Sequence, residues 1–288
     1  MYNVMMHEDP GFMMYAARAD GALNLRDIKG AVVDMDGVLW RGDQPLLGVQ
    51  SFFRLLRARG LPFMLASNNS SKSPADYVAR LSRMGVPDVQ ASEIVSSGTT
   101  TVDYLQQHYP VETPIHVLGG DGLKQLIAAA GFTLSDEASV VVVGIDFELT
   151  YDRLKRAALL IRAGADFIGT NADTTFPAPE GLVPGAGSLL AAIHAATGRE
   201  PLVMGKPGAA MFHTALRRLG TEPANTVMIG DRLNTDVAGA QAVGLRTALV
   251  LSGVSTLDEL AASTIQPDVV FADLAALVEA WEREPTRR

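Results

Sequence analysis

The chain has 288 residues and contains no cysteine. Disulfide bonds, thiolate zinc sites and cysteine nucleophiles are therefore excluded. It has only five histidines, and they are scattered, which argues against a histidine-rich metal centre. No apolar run is long enough to span a bilayer, so we expect no membrane segment. The chemistry of the chain must be sought in its other residues.

Positive charge is also in deficit. There are 24 Lys and Arg against 32 Asp and Glu, a formal net charge of −8. This balance argues against a nucleic-acid-binding surface and is typical of a freely diffusing soluble protein. Residues 1–28 are treated as an N-terminal extension without an assigned function. They lack a basic start followed by an apolar block, so we expect no signal peptide and a cytoplasmic location.

Apolar strand candidates alternate with helical patterns along almost the whole chain. This alternation predicts an α/β fold built on a parallel sheet. The pattern breaks at 110–114 and then restarts, so we interpret residues 110–200 as a smaller α/β domain inserted into a discontinuous core of residues 29–109 and 201–288. Residues 170–181 are too polar and rich in proline for a regular element and are predicted to form an ordered loop.

Two aspartates, Asp34 and Asp36, follow the apolar run that ends at Val33. In an open parallel sheet, ligands bind at the carboxyl ends of the strands. Side chains alternate along an extended segment, so the two carboxylates should point the same way, with Met35 turned aside. Two neighbouring like charges need compensation, and Mg²⁺ suits a site of few carboxylates and waters. A simple turn remains the alternative, since Asp and Gly are common in turns.

Three further polar groups also come directly after apolar strand candidates. They are Ser67 with Asn68 and Asn69, then Lys206, then Asp231 with Asp236. Each has a simpler explanation on its own: Ser67 as a helix N-cap, Lys206 as a solvated loop residue, the last two aspartates as a helix start that favours negative charge. Strand ends of a parallel sheet lie along one edge, however, so all these groups can converge there.

The residue types in these groups make chemical sense together. Three carboxylates around Mg²⁺ leave room for a phosphoryl group and waters. One ionised Asp can attack phosphorus and form an aspartyl-phosphate. A second Asp can protonate the leaving alcohol and later activate water. A hydroxyl, backbone N–H groups and a lysine can hold the phosphate oxygens, so the pattern favours phosphate-ester chemistry.

Competing motifs do not fit. An EF-hand loop beginning at Asp34 would need Gly and Glu where Leu39 and Pro45 stand. A P-loop would need Gly where Glu200 stands, and a dinucleotide-binding loop would need Gly where Gln125 stands. These ligand classes are therefore not predicted.

The four motifs carry a family resemblance. They are Asp-Met-Asp-Gly-Val-Leu-Trp from Asp34, Ser-Asn-Asn-Ser from Ser67, Gly-Lys-Pro around Lys206, and Gly-Asp-Arg-Leu-Asn-Thr-Asp ending at Asp236. Together they resemble the motifs of haloacid dehalogenase (HAD) superfamily phosphatases. The order and spacing, with an insert between the second and third motifs, resemble subclass IIA, which includes NagD-like and 4-nitrophenyl phosphatases.

This resemblance implies a Rossmann-like HAD core, a C2-type cap formed by the insert, and a Mg²⁺-dependent phosphatase acting on a small phosphorylated metabolite. It further implies that Asp34 is the nucleophile and a Mg²⁺ ligand. By the same resemblance, Asp36 would be the general acid/base and would offer a backbone carbonyl to the metal. Dehalogenases of the superfamily lack this second Asp, so Asp36 favours phosphate chemistry. A homodimer formed through the cap is also expected from the resemblance.

The same resemblance assigns the remaining residues. Ser67 and Lys206 bind the phosphate, helped by the backbone at Asn68 in the segment that also contains Asn69. Asp231 would be a further Mg²⁺ ligand. Asp236 would orient either a metal-bound water or Lys206. Phe176, in the cap loop, would face the substrate. Phe176 could equally be a packing residue. Phosphoryl transfer to an acceptor other than water, and mere binding of a phosphorylated metabolite, are the competing functions.

Overall fold

The computed structural model describes residues 14–16, 23–70, 72–178 and 181–283. The rest of the predicted N-terminal extension, residues 1–13 and 17–22, lies outside the described residues. The chain divides into two compact units, the first formed by Met1–Ala66, Tyr77–Ile94 and Phe212–Arg288, the second by Ser67–Asp76 and Val95–Met211. The second unit contains the whole predicted insert of residues 110–200 together with flanking segments, and the predicted domain boundaries stay a prediction.

The helices and strands follow one another in the alternating order that the sequence predicts. The first third of the chain forms β1 (Met14–Ala16), β2 (Gly30–Asp34), β3 (Trp40–Arg41), β4 (Gln44–Pro45), α1 (Val49–Ala58), β5 (Phe63–Ser67), α2 (Pro74–Arg83), β6 (Ile94–Ser96) and α3 (Ser97–His108). The middle third forms β7 (Ile115–Leu118), α4 (Asp121–Ala129), β8 (Val140–Val143), α5 (Tyr151–Arg162), β9 (Asp166–Gly169), β10 (Thr175–Ala178), β11 (Gly181–Pro184), α6 (Ala186–Thr197) and β12 (Leu202–Val203). The last third forms α7 (Ala209–Leu219), β13 (Thr226–Gly230), α8 (Ala238–Ala242), β14 (Arg246–Val250), α9 (Leu257–Ala262), β15 (Val269–Phe271) and α10 (Leu274–Arg283).

The first unit is built on a seven-stranded sheet with the strand order β1-β15-β14-β13-β2-β5-β6. Strand β2 pairs in parallel with β13 on one side and β5 on the other. Its residues Ala31, Val32 and Val33 are fully buried, as expected for a strand covered on both faces. The carboxyl end of this central strand carries Asp34, opposite Ala66 of β5. The predicted α/β fold with a parallel sheet is confirmed.

Amphipathic helices cover this sheet because their apolar residues recur at helical spacing. Helix α1 buries Phe52 and Leu56, and α10 buries Leu277 and Trp281, all in one hydrophobic core. Within the described part of the chain, no helix combines the length and the apolar character needed to cross a membrane.

The second unit has its own sheet of four parallel strands in the order β12-β9-β8-β7. Strand β8 is a run of four buried valines, Val140–Val143. Alternate valines belong to two different hydrophobic clusters, one with Leu123 and Ile127 of α4 and the other with Ile161 of α5. Because alternate side chains of a strand point to opposite faces, both faces of this sheet are covered by helices.

The structure corrects one prediction in the second unit. The sequence predicts an ordered loop for residues 170–181, but β10 and β11 form an antiparallel hairpin in which Phe176 lies opposite Val183. β-Branched and aromatic residues such as Thr175 and Phe176 favour extended pairing and outweigh the prolines, of which Pro177 lies within β10 itself. Gly181, at φ +133°, has a backbone conformation that side-chain-bearing residues rarely adopt.

Part of the predicted N-terminal extension joins the first sheet. Strand β1 pairs antiparallel with β15, with Tyr15 opposite Val270. Further along, the indole nitrogen of Trp281 donates to the Leu25 carbonyl at 3.1 Å. These two contacts attach described parts of the extension to the first unit.

Candidate active site

Three carboxylates of the first unit form a buried group that we call the acidic cluster. Asp34, Asp231 and Asp236 each offer one oxygen, and these oxygens lie within 4.8 Å of one another. The three residues are 8%, 0% and 0% exposed. Asp34 ends β2, and Asp231 directly follows the neighbouring parallel strand β13. The cluster thus lies at the carboxyl edge of the sheet, and it contains the side chain of Asp236, which the resemblance assigns a positioning role, where the predicted metal set has Asp36.

The carboxylate of Asp231 is fixed from several sides. Its Oδ2 accepts the backbone N–H of Val254 at 2.7 Å, and its carbonyl accepts that of Ser255 at 3.0 Å. A Cβ added at Gly253 would lie 1.9 Å from this Oδ2, and one added at Gly37 would lie 2.3 Å from it. Only glycine leaves room for the carboxylate at these two positions, so the backbone at both lies close to Asp231.

Asp236 shapes the loop that carries Asp231. It lies in the π-helical turn Leu233–Val237. Its Oδ2 accepts the backbone N–H groups of Asp231 at 3.2 Å and Arg232 at 3.0 Å. This bonding resembles a cap at a helix start, the simpler explanation for the residue, yet the same carboxylate also belongs to the acidic cluster. The prediction that it orients a metal-bound water or Lys206 remains a prediction.

The donor set of the acidic cluster fits a hard divalent cation. All three donors are carboxylate oxygens, which Mg²⁺ and Ca²⁺ prefer. Three carboxylates taken out of water at this spacing repel one another, and a bound cation would offset that cost. Asp34, Asp231 and Asp236 are therefore the residues whose side chains could hold a metal ion.

The carboxylate of Asp36 lies outside the acidic cluster. It is exposed, and its Oδ1 accepts the indole N–H of Trp40 at 2.7 Å. This position is compatible with the predicted roles of Asp36, in which the side chain is the general acid/base and only the backbone carbonyl binds a metal. The roles themselves stay predictions.

The residues predicted to bind phosphate lie in the second unit, and two of their simpler explanations are wrong. Ser67 is 3% exposed, and its Oγ accepts the backbone N–H of Asn69 at 3.1 Å. Helix α2 begins only at Pro74, so Ser67 is not its N-cap. Lys206 is also 3% exposed and is not a solvated loop lysine. Both are buried polar residues that need local partners.

Asn68 makes hydrogen bonds to several separate segments of the second unit. Its Oδ1 accepts the backbone N–H of Lys206 at 2.7 Å, and its Nδ2 donates to the Lys206 carbonyl at 2.9 Å. The same Nδ2 lies 3.2 Å from Oδ2 of Asp173. Its carbonyl accepts the Ser97 hydroxyl at 2.6 Å and the Asn171 amide at 2.8 Å. The Asn68 side chain thus makes hydrogen bonds to both polar groups of the Lys206 backbone, a role that no pattern in the sequence indicates.

Phe176 lies in the hairpin of the second unit. Its ring packs edge-to-face on Phe147, with centroids 5.7 Å apart and an interplanar angle of 71°. Phe176 is half-buried, whereas Phe147 is 67% exposed. The contact supports the packing explanation for Phe176 and leaves its predicted contact with substrate as a prediction.

Comparisons with known proteins agree with this geometry. Residues 31–133 match the family of haloacid dehalogenase-like hydrolases, and residues 203–277 match a HAD-hydrolase-like family. An acid sugar phosphatase of Staphylococcus saprophyticus is 32% identical over 261 residues, covering 90% of this chain and 100% of the relative. The structure of a 4-nitrophenylphosphatase from Thermotoga maritima superposes with a TM-score of 0.84 at 37% identity, covering 89% of this chain and 98% of that one. NagD from Escherichia coli K-12 superposes with a TM-score of 0.81 at 33% identity, covering 86% and 97%.

The family models, the relatives and the solved structures all agree with a parallel-sheet core that carries carboxylates at its strand ends. The chain belongs to the haloacid dehalogenase-like hydrolases and, within them, to the subclass IIA phosphatases. The predicted family, fold class and enzyme class are thereby confirmed.

Proposed function

We propose that this protein is a Mg²⁺-dependent phosphatase that hydrolyses a small phosphomonoester through an aspartyl-phosphate on Asp34. The observation that carries the proposal is the acidic cluster, in which Asp34 at the end of β2 shares a buried site with Asp231 and Asp236. A nucleophilic carboxylate must be ionised, and a bound cation favours the ionised form. When bound, the metal would neutralise charge on the phosphoryl group and on these carboxylates.

In the first step, a carboxylate oxygen of Asp34 attacks phosphorus, and the bond from phosphorus to the ester oxygen breaks. Asp36, protonated, gives its proton to the departing alkoxide. In the second step, Asp36 takes a proton from a water molecule, which attacks phosphorus, frees Asp34 and releases inorganic phosphate. Asp36 thus ends the cycle protonated, so both steps are balanced in protons.

The residues of the second unit would hold the phosphate. The Ser67 hydroxyl, backbone N–H groups in the segment from Asn68 to Asn69, and the Lys206 ammonium are donors suited to phosphoryl oxygens. The low exposure of Ser67 and Lys206 supports this role, because such donors act more strongly where little water competes. Lys206 would also offset the negative charge that builds up during transfer.

Metal removal is the direct test of the cofactor. We expect EDTA to lower turnover of a chromogenic phosphate ester to below about 1% and added Mg²⁺ to restore it. Mg²⁺ at about 100 times its dissociation constant should stabilise the native state by about 2.7 kcal/mol. For a chain of this size that corresponds to a rise of about 5–10 °C in thermal midpoint. Full activity in EDTA would contradict the metal requirement.

Product analysis separates hydrolysis from its competitors. With an added alcohol, a phosphatase yields mainly inorganic phosphate, whereas a phosphotransferase yields a new ester. A binding protein yields neither. Asp36 argues for turnover, since binding alone needs no acid/base residue.

The physiological substrate is proposed only by class: a nucleotide, a sugar phosphate, glycerol phosphate or a similar small metabolite. The names of the relatives, acid sugar phosphatase and 4-nitrophenylphosphatase, support a small phosphate ester. A panel of these esters, compared by kcat/KM, would identify the preferred leaving group. Substituting Phe176 by Ala within that panel would test whether this ring selects the substrate.

Asn68 gives a prediction for the phosphate-binding segment. Asn68→Ala removes both hydrogen bonds to the Lys206 backbone, each worth about 1 kcal/mol, and should lower kcat/KM by about 10- to 100-fold. Ser135→Ala is the matched control, because it removes one exposed side-chain bond to the backbone of Glu137 in the same unit. Equal kcat/KM values for the two variants would show that Asn68 does not orient Lys206.

We further propose that the insert of residues 110–200 is a C2-type cap, that the protein acts in the cytoplasm on metabolites rather than on nucleic acid or membranes, and that it forms a homodimer through the cap. Light scattering of the purified protein, with and without substitution of exposed cap residues, tests the dimer.

A further inference from the structure

Trp40 donates a hydrogen bond to Asp36, the residue proposed to transfer protons. Its indole Nε1–H donates to Oδ1 of Asp36 at 2.7 Å. Asp36 is exposed, so a tightly packed core does not confine its side chain. A proton donor must lie within about 2.6–3.2 Å of the atom it serves. A bond that holds one rotamer of Asp36 therefore bears directly on proton transfer.

Trp40 is itself rigidly held. It is fully buried, and its ring stacks on Tyr77 with centroids 6.3 Å apart and an interplanar angle of 14°. The guanidinium of Arg80 lies 4.1 Å above the ring and also donates to the Gly42 carbonyl of the β3–β4 turn. The stacked ring and the cation both restrict the Trp40 side chain. Its indole N–H is therefore a hydrogen-bond donor with a fixed position.

Backbone hydrogen bonds also fold the segment between Asp36 and Trp40 into a tight turn. The Gly37 N–H donates to the Trp40 carbonyl at 2.8 Å, and the Leu39 N–H donates to the Met35 carbonyl at 2.8 Å. Asp36 and Trp40 also form an isolated β-bridge. The distance between the indole and the Asp36 carboxylate is therefore set by a tight turn as well as by packing.

We propose that Trp40 is a positioning residue that holds the Asp36 carboxylate in the orientation needed to protonate the leaving group. This inference rests on the proposed function of Asp36. Departure of an alkoxide needs that proton, whereas 4-nitrophenolate is stable enough to leave without it. Loss of the indole N–H should therefore lower kcat/KM for the hydrolysis of alkyl phosphates more than for 4-nitrophenyl phosphate.

The test compares kcat/KM for an alkyl phosphate such as glycerol phosphate with kcat/KM for 4-nitrophenyl phosphate, because kcat/KM reports the step in which the leaving group departs. Trp40→Phe should lower the value for the alkyl ester by about 10- to 100-fold and that for the nitrophenyl ester by less than about threefold. Asp36→Asn should show the same selectivity more strongly.

The chain supplies a matched control in its second tryptophan. Trp281 is also fully buried, lies in the same unit, and donates its indole N–H to a carbonyl oxygen, that of Leu25. Trp281→Phe removes the same N–H and a similar volume, so both variants should lose stability, but only Trp40→Phe should change the ratio of the two kcat/KM values.

The inference would be overturned if Trp40→Phe and Trp281→Phe had the same ratio of kcat/KM for the alkyl ester to kcat/KM for the nitrophenyl ester. If Trp40→Phe does not fold, Arg80→Met decides: it keeps Trp40 but removes the cation above its ring, and a several-fold selective loss supports the inference while an unchanged ratio overturns it. Failure of the proposed function looks different, since then wild type hydrolyses neither ester, or Asp36→Asn shows no leaving-group selectivity.

Discussion

Asp34→Asn is expected to lower turnover of every phosphate ester by at least about 10⁴-fold, because a neutral amide is a poor nucleophile toward phosphorus. The substitution nearly preserves shape at a residue that is only 8% exposed, so the fold should persist. It also removes one of three clustered negative charges, so the thermal midpoint in EDTA should stay the same or rise by about 2–4 °C per kcal/mol of repulsion relieved. Steady-state kinetics and thermal unfolding measure the two effects.

The covalent intermediate allows a second measurement on the same pair of proteins. Acid quenching during turnover of a ³²P-labelled ester should leave label on wild type and none on Asp34→Asn. Asp88→Asn, at an exposed position of the same unit, is the charge-matched control and should retain both label and turnover. Substantial activity in Asp34→Asn would overturn the proposed mechanism.

The strands that carry the site were predictable because a buried parallel strand leaves a strong local signal. The runs before Asp34 and Asp231 are continuous and apolar, and a strand that ends in a polar residue places that residue at the sheet edge. Asp34 and Asp231, almost 200 positions apart, could therefore be expected to meet at one edge of the sheet.

What the sequence does not show are contacts made by side chains with no repeating pattern. Asn68 and Lys206 are 138 residues apart, and no spacing rule predicts that one amide binds both polar groups of the other residue's backbone. Trp40 lies four residues after Asp36 outside any helix, so helical spacing does not apply to the pair. The Phe147–Phe176 contact likewise depends on a hairpin whose prolines suggest a loop.

Asp231→Asn is the second substitution with a large expected effect. Its Oδ2 accepts the Val254 N–H at 2.7 Å, and an amide oxygen can keep that bond. The new NH₂ would then face the acidic cluster, where it replaces a carboxylate ligand with a group that binds Mg²⁺ poorly. We expect kcat/KM to fall at least about 10²-fold at ordinary Mg²⁺, with partial recovery at higher Mg²⁺. Titration of activity with Mg²⁺ measures this.

The stability of this variant separates a metal ligand from an ordinary buried aspartate. Asp268 is 2% exposed, and its Oδ2 accepts both the N–H and the hydroxyl of Thr247 at 2.7 and 2.9 Å. Asp268→Asn weakens these charge-assisted bonds and should cost about 1–3 kcal/mol without changing the Mg²⁺ requirement. Asp231→Asn should do the reverse: no loss of thermal midpoint in EDTA, and a smaller rise when Mg²⁺ is added. If both variants lose stability alike and keep the same Mg²⁺ dependence, Asp231 is a structural residue and the acidic cluster is not the metal site.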